Sequence, residues 1–457
     1  METSLPPVRN ASAPSGTPRP VRSAFAGQDL REDPMTSIDL HAARVRALLS
    51  PLATRGARET LALAPTAVAA DPGAYDRRVL ARSVDAPLDL PRFDNSQMDG
   101  FAVRAADLAA ASAGSPVSLP VAAPIPAGDR APRHEAGTAV PIMTGSPLPA
   151  GADAVVAIET VDPPRFPAPG STAVRAAFSR PVVAAAFVRA RGSDARQGEL
   201  ALPAGTVLRA AHYGLLASLG LTEVEVLPRV RVLVVPTGHE IRAAGSELED
   251  AQIYDANGSL LAEAVREAGG LPIVVPCGSD RPEDLLALLD AHAAEADLAI
   301  TVGGVSAGAY EVVRDALGPA GSEFGHVAVQ PGGPQGLGLV RVRDDLHLPI
   351  VSLPGNPVSA LVSFELFLRP VLRSLAGRLP AERPRLRARL ATPLDSPGHL
   401  HQIRRGTLDD EGLVHAVGGP SSHLLASYAR SNVLIHVPIG TEHAATGDTV
   451  EIWRIDD

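Results

Sequence analysis

Lysine is absent from this chain of 457 residues, so all 41 of its basic side chains are arginine. An arginine bias also follows from genome composition. Whatever its origin, an anion site here must be built from guanidinium forks, backbone N–H groups or hydroxyls, never from an ammonium. Cysteine occurs once, at Cys277, which excludes an internal disulfide framework and suits a reducing compartment. Aromatics make up only 3% of the residues while glycine and proline number 41 and 43, so many turns and small-residue packing are expected. The net charge of −10 argues against a general nucleic-acid binder. No apolar run approaches the roughly 20 residues of a membrane helix. Residues 1–34 are rich in Pro, Ser, Ala and Arg, lack the apolar centre of a signal peptide, and read as a disordered tail. Cytoplasm is the default location, with no membrane partner.

At this length two to four domains are expected. Thr36-Ser37-Ile38-Asp39 is a capping pattern ahead of a helix through about Leu49. From about 58 to 228 short alternating runs are punctuated by Pro and Gly, the mark of β structure. Val188 to Asp194 and Gly205 to Leu208 look like returns to a framework that residues 93–187 interrupt, which predicts an inserted β domain. After Arg229 the pattern changes. Apolar strands are expected at Val230 to Val235, Leu271 to Val275, Asp297 to Val302 and Ile350 to Leu353. Helices alternate with them at about 255–268, 282–293 and 359–375. That alternation predicts a parallel sheet covered on both faces. From about 380 to the end, alternating segments predict a small β domain.

Asp94-Asn95-Ser96-Gln97-Met98-Asp99-Gly100 packs two carboxylates, two amides and a hydroxyl into one loop. It is either a hydrated Asx-rich turn or a display of polar groups for a ligand or a metal ion. Thr237-Gly238, Gly303-Gly304-Val305-Ser306 and Pro354-Gly355-Asn356-Pro357 each follow a predicted strand and precede a helix. Ligands of open α/β sheets sit beyond the carboxyl ends of strands, and glycines at helix starts expose N–H groups to phosphates. A single Gly-Gly turn is ordinarily structural; three on one sheet edge favour an anionic, phosphorylated ligand. Asp280, just past the second strand, either binds a metal or caps the next helix, capping being the simpler reading. There is no P-loop, no dinucleotide fingerprint, no zinc spacing and no nucleophile elbow. Scattered carboxylates, anion cradles and arginines fit Mg²⁺-assisted phosphate chemistry better than covalent catalysis.

In order along the chain, the Asp94–Gly100 loop, Ile142-Met143-Thr144-Gly145, Pro354 to Ser359 and Ser421-Ser422-His423-Leu424 resemble the molybdopterin molybdenumtransferase family, the MoeA type, related to the gephyrin E domain. The resemblance covers roughly residues 36–457. It implies a multidomain α/β plus β protein. An elongated β framework would span 36–92 and 188–228, with an inserted β domain at 93–187. An α/β domain like the molybdopterin adenylyltransferases would occupy 229–376, and a C-terminal β barrel 380–457. It further implies a homodimer whose cleft lies between the α/β domain of one subunit and the inserted domain of the other. The implied reaction takes adenylylated molybdopterin and molybdate with Mg²⁺ and releases AMP. Molybdopterin adenylyltransferase and molybdoenzymes are implied partners.

Position by position, the resemblance assigns Asp99, Asp194, Glu240 and Asp280 to catalysis. It assigns Thr144, Gly303, Gly304, Ser306, Gln330, Pro354, Gly355, Asn356, Arg405 and Ser422 to substrate, the last arginine and serine suiting an oxyanion. Asp99, Glu240, Asp280 and Glu311 are the implied metal ligands. The departures are equally informative. His239 stands where the family has an aspartate, and Ala309 and Glu311 where it has a glutamate and an aspartate. Gln330-Pro331-Gly332-Gly333-Pro334 replaces a segment with two lysines; His326 is a candidate for a third lost cation. Each cation is worth ~1–3 kcal/mol in charge-assisted bonding, so losing both weakens anion binding unless Arg341, Arg404 or Arg405 compensates. Three readings follow: an active transferase with a less basic site; a catalytically weak paralogue that binds, delivers or scaffolds the pterin; or a phosphohydrolase of nucleotide-like substrates or a tungstate-preferring relative.

Overall fold

In a computed structural model of the chain, the structure describes residues 35–54, 58–123, 133–168, 171, 173–306, 311–343 and 345–456. The tail 1–34 and Ala309 lie outside the described residues. Three antiparallel strand pairs are nested within one another: Glu59–Ala62 with Glu223–Val226, Val84–Asp85 with Leu200–Leu202, and Asn95–Ser96 with Val188–Arg189. Each pair brings back together two stretches further apart in sequence than the next. Between the last two strands lie two three-stranded sheets. One is Val140–Ile142, Gly100–Val103 and Ala154–Ala157; the other is Val117–Pro120, Arg175–Phe178 and Val161–Asp162. They close on a core around Phe101, Leu108 and Phe178.

The α/β region holds a six-stranded sheet in the order Leu271–Val274, Arg231–Pro236, Leu298–Val302, His347–Leu353, Pro334–Arg341, Ser322–His326. The first four strands are parallel, as their uninterrupted apolar runs predict. The last two run antiparallel, so the sheet is mixed where a parallel one was expected. Their glycine-rich text (Gly333, Gly336, Gly338) carries neither an apolar run nor a clear alternation, which hid them. Separate apolar clusters cover the two faces, one around Val234, Leu261 and Phe364, the other around Leu233, Leu289 and Val313. The helix Ile38–Leu49, capped by Ser37 accepting from the Leu40 N–H at 3.2 Å, buries Val45 and Leu49 in the first of these.

Helix Pro357–Ser363 passes through a π turn at Phe364–Leu368 into Arg369–Leu375. Pro370 explains the wide turn, because it lacks an N–H and its ring crowds the preceding carbonyls. In the C-terminal region Arg385–Leu390, Leu413–Ala416, His401–Leu408, Val433–Val437 and Thr449–Arg454 close into a five-stranded barrel. The short strand Val329–Gln330 pairs in parallel with His401 and Gln402, tying this barrel to the α/β sheet. None of the described helices is long and apolar enough to cross a membrane.

Candidate functional site

The first strand, Arg231–Pro236, has its sequence successor Leu271–Val274 on one side and Leu298–Val302 on the other. Loops after strands that diverge in this way leave a crevice between them, the usual ligand site of such sheets. A cleft of about 990 Å³ opens there. Its walls include Thr237 to Ile241, Asp255 to Asn257, Asp280, Gly303 to Ser306, Glu311, Gln330, Pro354 to Pro357, and Pro420 to His423. Eleven of the residues expected from sequence therefore meet: Glu240, Asp280, Gly303, Gly304, Ser306, Glu311, Gln330, Pro354, Gly355, Asn356 and Ser422.

The glycines are required by contact. Gly303 has φ 101°, and a Cβ on it would stand 2.9 Å from Thr237 Oγ1. At Gly238, with φ 142°, a Cβ would fall 2.4 Å from Glu240 Oε2, so the Glu240 carboxylate lies directly over this turn. His239 Nδ1 and Asp280 Oδ2 are 2.7 Å apart, both in the cleft and both well exposed. This corrects the capping reading of Asp280. Helix Pro282–His292 has Arg281 at its N-cap with no side-chain cap, and Ser279 instead bonds Asp284 at 2.6 Å. The imidazole that stands at the position of an expected carboxylate is thus the partner of the neighbouring carboxylate. Glu311 accepts from the N–H of Ser306 at 3.2 Å and from its hydroxyl. Asp255 caps helix Ala256–Glu267, accepting from Gly258 N at 2.8 Å.

The opposite end is built by the barrel. Arg405 is fully buried, and its Nη2 donates to the carbonyls of Gly419 and, at 3.2 Å, of Ser421, holding the loop that presents Ser421 and Ser422 to the cleft. Its Nε and Nη1 have no partner among the described residues. Burial lowers its pKa, with Arg404 beside it acting in the same direction. Arg405 itself does not line the cleft; its two unpaired guanidinium nitrogens lie buried behind the loop. Arg341 ends an eight-residue strand that starts at Pro334 on the cleft, which puts it roughly 20 Å away. It cannot replace a lost cation there. His326 pairs in register with Pro334 and is exposed beside Gly333.

Asp99, Thr144 and Asp194 do not line the cleft. Asp99 Oδ1 accepts from the N–H of Thr144 at 2.8 Å and from its hydroxyl at 2.9 Å, which together hold its carboxyl below the usual range. Both residues are exposed in loops at the ends of the inserted strands, and Asp194 is exposed in the loop that follows Val188–Arg189. Arg191 N donates to Asp94 Oδ1 at 2.7 Å, so that loop lies against the Asp94–Gly100 loop. Sequence reasoning missed Asn257, whose Nδ2 donates to Gly355 O at 2.8 Å while its buried Oδ1 lacks a partner. It also missed Gln402, through which Arg404, a candidate compensating cation, reaches Gln330. Asn257 was readable only as the third residue of a helix start.

Among the described residues no three His, Cys, Asp or Glu side chains are grouped to hold a metal ion. The donors fit Mg²⁺ in its common mode, one or two carboxylates completed by substrate phosphates. Asp280, Glu240 and Glu311 are the carboxylates of the expected set that line the cleft.

Three family models account for most of the chain: the MoeA N-terminal region (domain I and II) at residues 37–220, a probable molybdopterin binding domain at 235–374, and the MoeA C-terminal region (domain IV) at 387–455. "Molybdopterin molybdenumtransferase 2" of Mycobacterium tuberculosis is 45% identical over 390 residues, 82% of this chain and 92% of the relative. The chain belongs to the molybdopterin molybdenumtransferase family. "Molybdopterin molybdenumtransferase 1" of the same organism is 36% identical over 388 residues, covering 79% of this chain and 88% of the relative. A crystal structure of a molybdopterin biosynthesis MoeA protein from Pyrococcus horikoshii superposes with a TM-score of 0.72 at 28% identity, covering 92% of this chain and 99% of that one.

Proposed function

We propose that the chain is a working molybdopterin molybdenumtransferase, acting in molybdenum cofactor biosynthesis. It takes adenylylated molybdopterin and molybdate, releases AMP and passes molybdenum to the dithiolene. The observation that carries this reading is the division of one cleft. Glycine loops and Asp280 lie at the sheet end, and a buried guanidinium with two unpaired nitrogens lies behind the barrel loop. The backbone N–H groups of the glycine loops bind the phosphates. Asp280, oriented by His239, accepts a hydrogen bond from the water that attacks the phosphoanhydride, and Glu240 is held over the Thr237–Gly238 turn beside it. Asp280 with Glu240 or Glu311 would hold Mg²⁺, which would supply charge neutralisation at the phosphates. Ser422, Gln330 and Arg405 take the molybdate.

In this reading the chain works in the cytoplasm as a homodimer, and Asp99 and Thr144 complete the cleft of the partner subunit. AMP release from adenylylated molybdopterin, measured across a molybdate titration with Mg²⁺, tests the reaction. Molybdate-dependent release, with product that activates a cofactor-free molybdoenzyme, supports it. Tight pterin binding with no AMP at any molybdate concentration would turn the assignment to a binding or delivery protein. Mixing equal amounts of Asp99→Ala and Asp280→Ala subunits tests the shared cleft. Half of the dimers would then be mixed, each with one intact site of two, so about a quarter of wild-type activity should return from inactive parents. No recovery after verified subunit exchange would place Asp99 and Asp280 of the same subunit in one site and overturn the shared cleft.

A further inference from the structure

Gln330 stands in the cleft where the family resemblance leads one to expect a cation, and its side chain ends a buried chain of polar groups. Arg404 Nη2 is fixed by Gly418 O at 3.1 Å, and its Nη1 donates to Gln402 Oε1 at 3.4 Å. Gln402 Nε2 donates to Gln330 Oε1 at 2.7 Å. Gln330 and Gln402 are register partners in the parallel pair that joins the barrel to the α/β sheet, so the backbone fixes their separation. Gln402 is 1% exposed, which leaves no room for water to replace either neighbour.

We propose that Arg404 and Gln402 are positioning residues that lock the Gln330 amide with its N–H groups toward the cleft, where they bind the substrate oxyanion. The polarity follows from the donor inventory. A guanidinium only donates, so Gln402 must offer Arg404 its oxygen and turn its NH₂ toward Gln330. Gln330 must then accept through its own oxygen, and its NH₂ remains for the cleft. Flipping either amide would set donor against donor in a buried site, where an unmet polar group is costly. The Arg404 charge polarises both amides in series, so a neutral side chain at the cleft wall behaves as a directed donor. In a chain without lysine, this relay carries a guanidinium's influence to a place that no guanidinium occupies.

The inference rests on the proposed oxyanion role of the barrel end, and the experiment separates the two. Molybdate binding is measured calorimetrically on the full chain and on Gln402→Glu, Gln330→Met and the double variant. Gln402→Glu keeps an acceptor for Arg404 but offers a second acceptor to Gln330, which turns its NH₂ away from the cleft. The expected result is molybdate binding about tenfold weaker in Gln402→Glu, with no further loss when that change is added to Gln330→Met. An equal loss in the Gln330→Met background would mean that the added charge acts alone, and would overturn the relay; unchanged binding in Gln402→Glu would do the same. Gln402→Met breaks the relay without adding charge, and should match Gln330→Met if the glutamate variant fails to fold. Absence of molybdate binding by the unaltered chain would remove the oxyanion assignment itself, and the relay with it.

Discussion

At the sheet end of the cleft the ionisable groups sit on loops in solvent; at the barrel end they are enclosed. The side chains of His239 and Asp280 are 75% and 49% exposed and hold chiefly each other. Arg405, Gln402 and Arg404 are 0%, 1% and 8% exposed and are bonded to loop carbonyls or to one another. Exposed loop groups can regroup around incoming phosphate and cation at little cost to the fold. Enclosed groups cannot move, so they must be arranged before the ligand arrives, and their unpaired N–H groups weigh on the empty protein. Stability and function are therefore separable at one end and joined at the other.

The sharpest way to break that contrast is Asp280→Asn. It should lower the rate of AMP release by about 10² to 10³-fold while the melting temperature stays put, because the side chain supports no packing. A fall of several degrees would show that the sheet end is structural after all. Arg405→Met should follow, with molybdate affinity reduced roughly ten- to hundredfold, the worth of a charged hydrogen bond. Molybdate should raise the melting temperature of the wild type more than that of Arg405→Met at the same concentration, since stabilisation follows ligand occupancy. Equal shifts in both would disconnect Arg405 from the oxyanion.

A third test, outside the cleft, asks how enclosed groups respond to pH. Burial first, and then Arg44, lowers the His41 pKa from 6.5 to about 4. The unfolded chain therefore binds the proton more readily, and the contribution of neutral His41 is present above pH 6.5 and lost as pH falls toward 4. The loss should reach ~3 kcal/mol at most. His401 and His436 are lowered too, chiefly by burial, and act in the same direction. Thermal melts between pH 7 and 4 should fall less steeply for His41→Gln than for the wild type.

Much of the architecture was legible because it rests on local pattern. Apolar runs such as Val232 to Val235 mark buried parallel strands, and Ser37 announces its helix by capping. The loops Thr237-Gly238, Gly303-Gly304 and Pro354-Gly355-Asn356 lay where glycine follows a strand, and they converge because strand ends of one sheet share an edge. The antiparallel strands Ser322–His326 and Pro334–Arg341 were not legible, since glycine erases the alternation that would have shown them. Asp280 was misread as a cap because capping is local, while its partner His239 comes from another loop.

The sequence by itself determined the chemical inventory: no ammonium anywhere, carboxylates after the strands, and an arginine pair in the barrel. It also set the order of strands and helices, through periodicities that depend only on near neighbours. Tertiary structure alone decided which groups became partners. It put His239 against Asp280, brought Asn257 to Gly355, buried Arg405 behind the Ser421–Ser422 loop, and aligned Gln402 with Gln330 across two strands more than 70 residues apart. Hydrogen bonds and burial depend on distance in space, and chain spacing does not encode that distance once strands from separate regions pair.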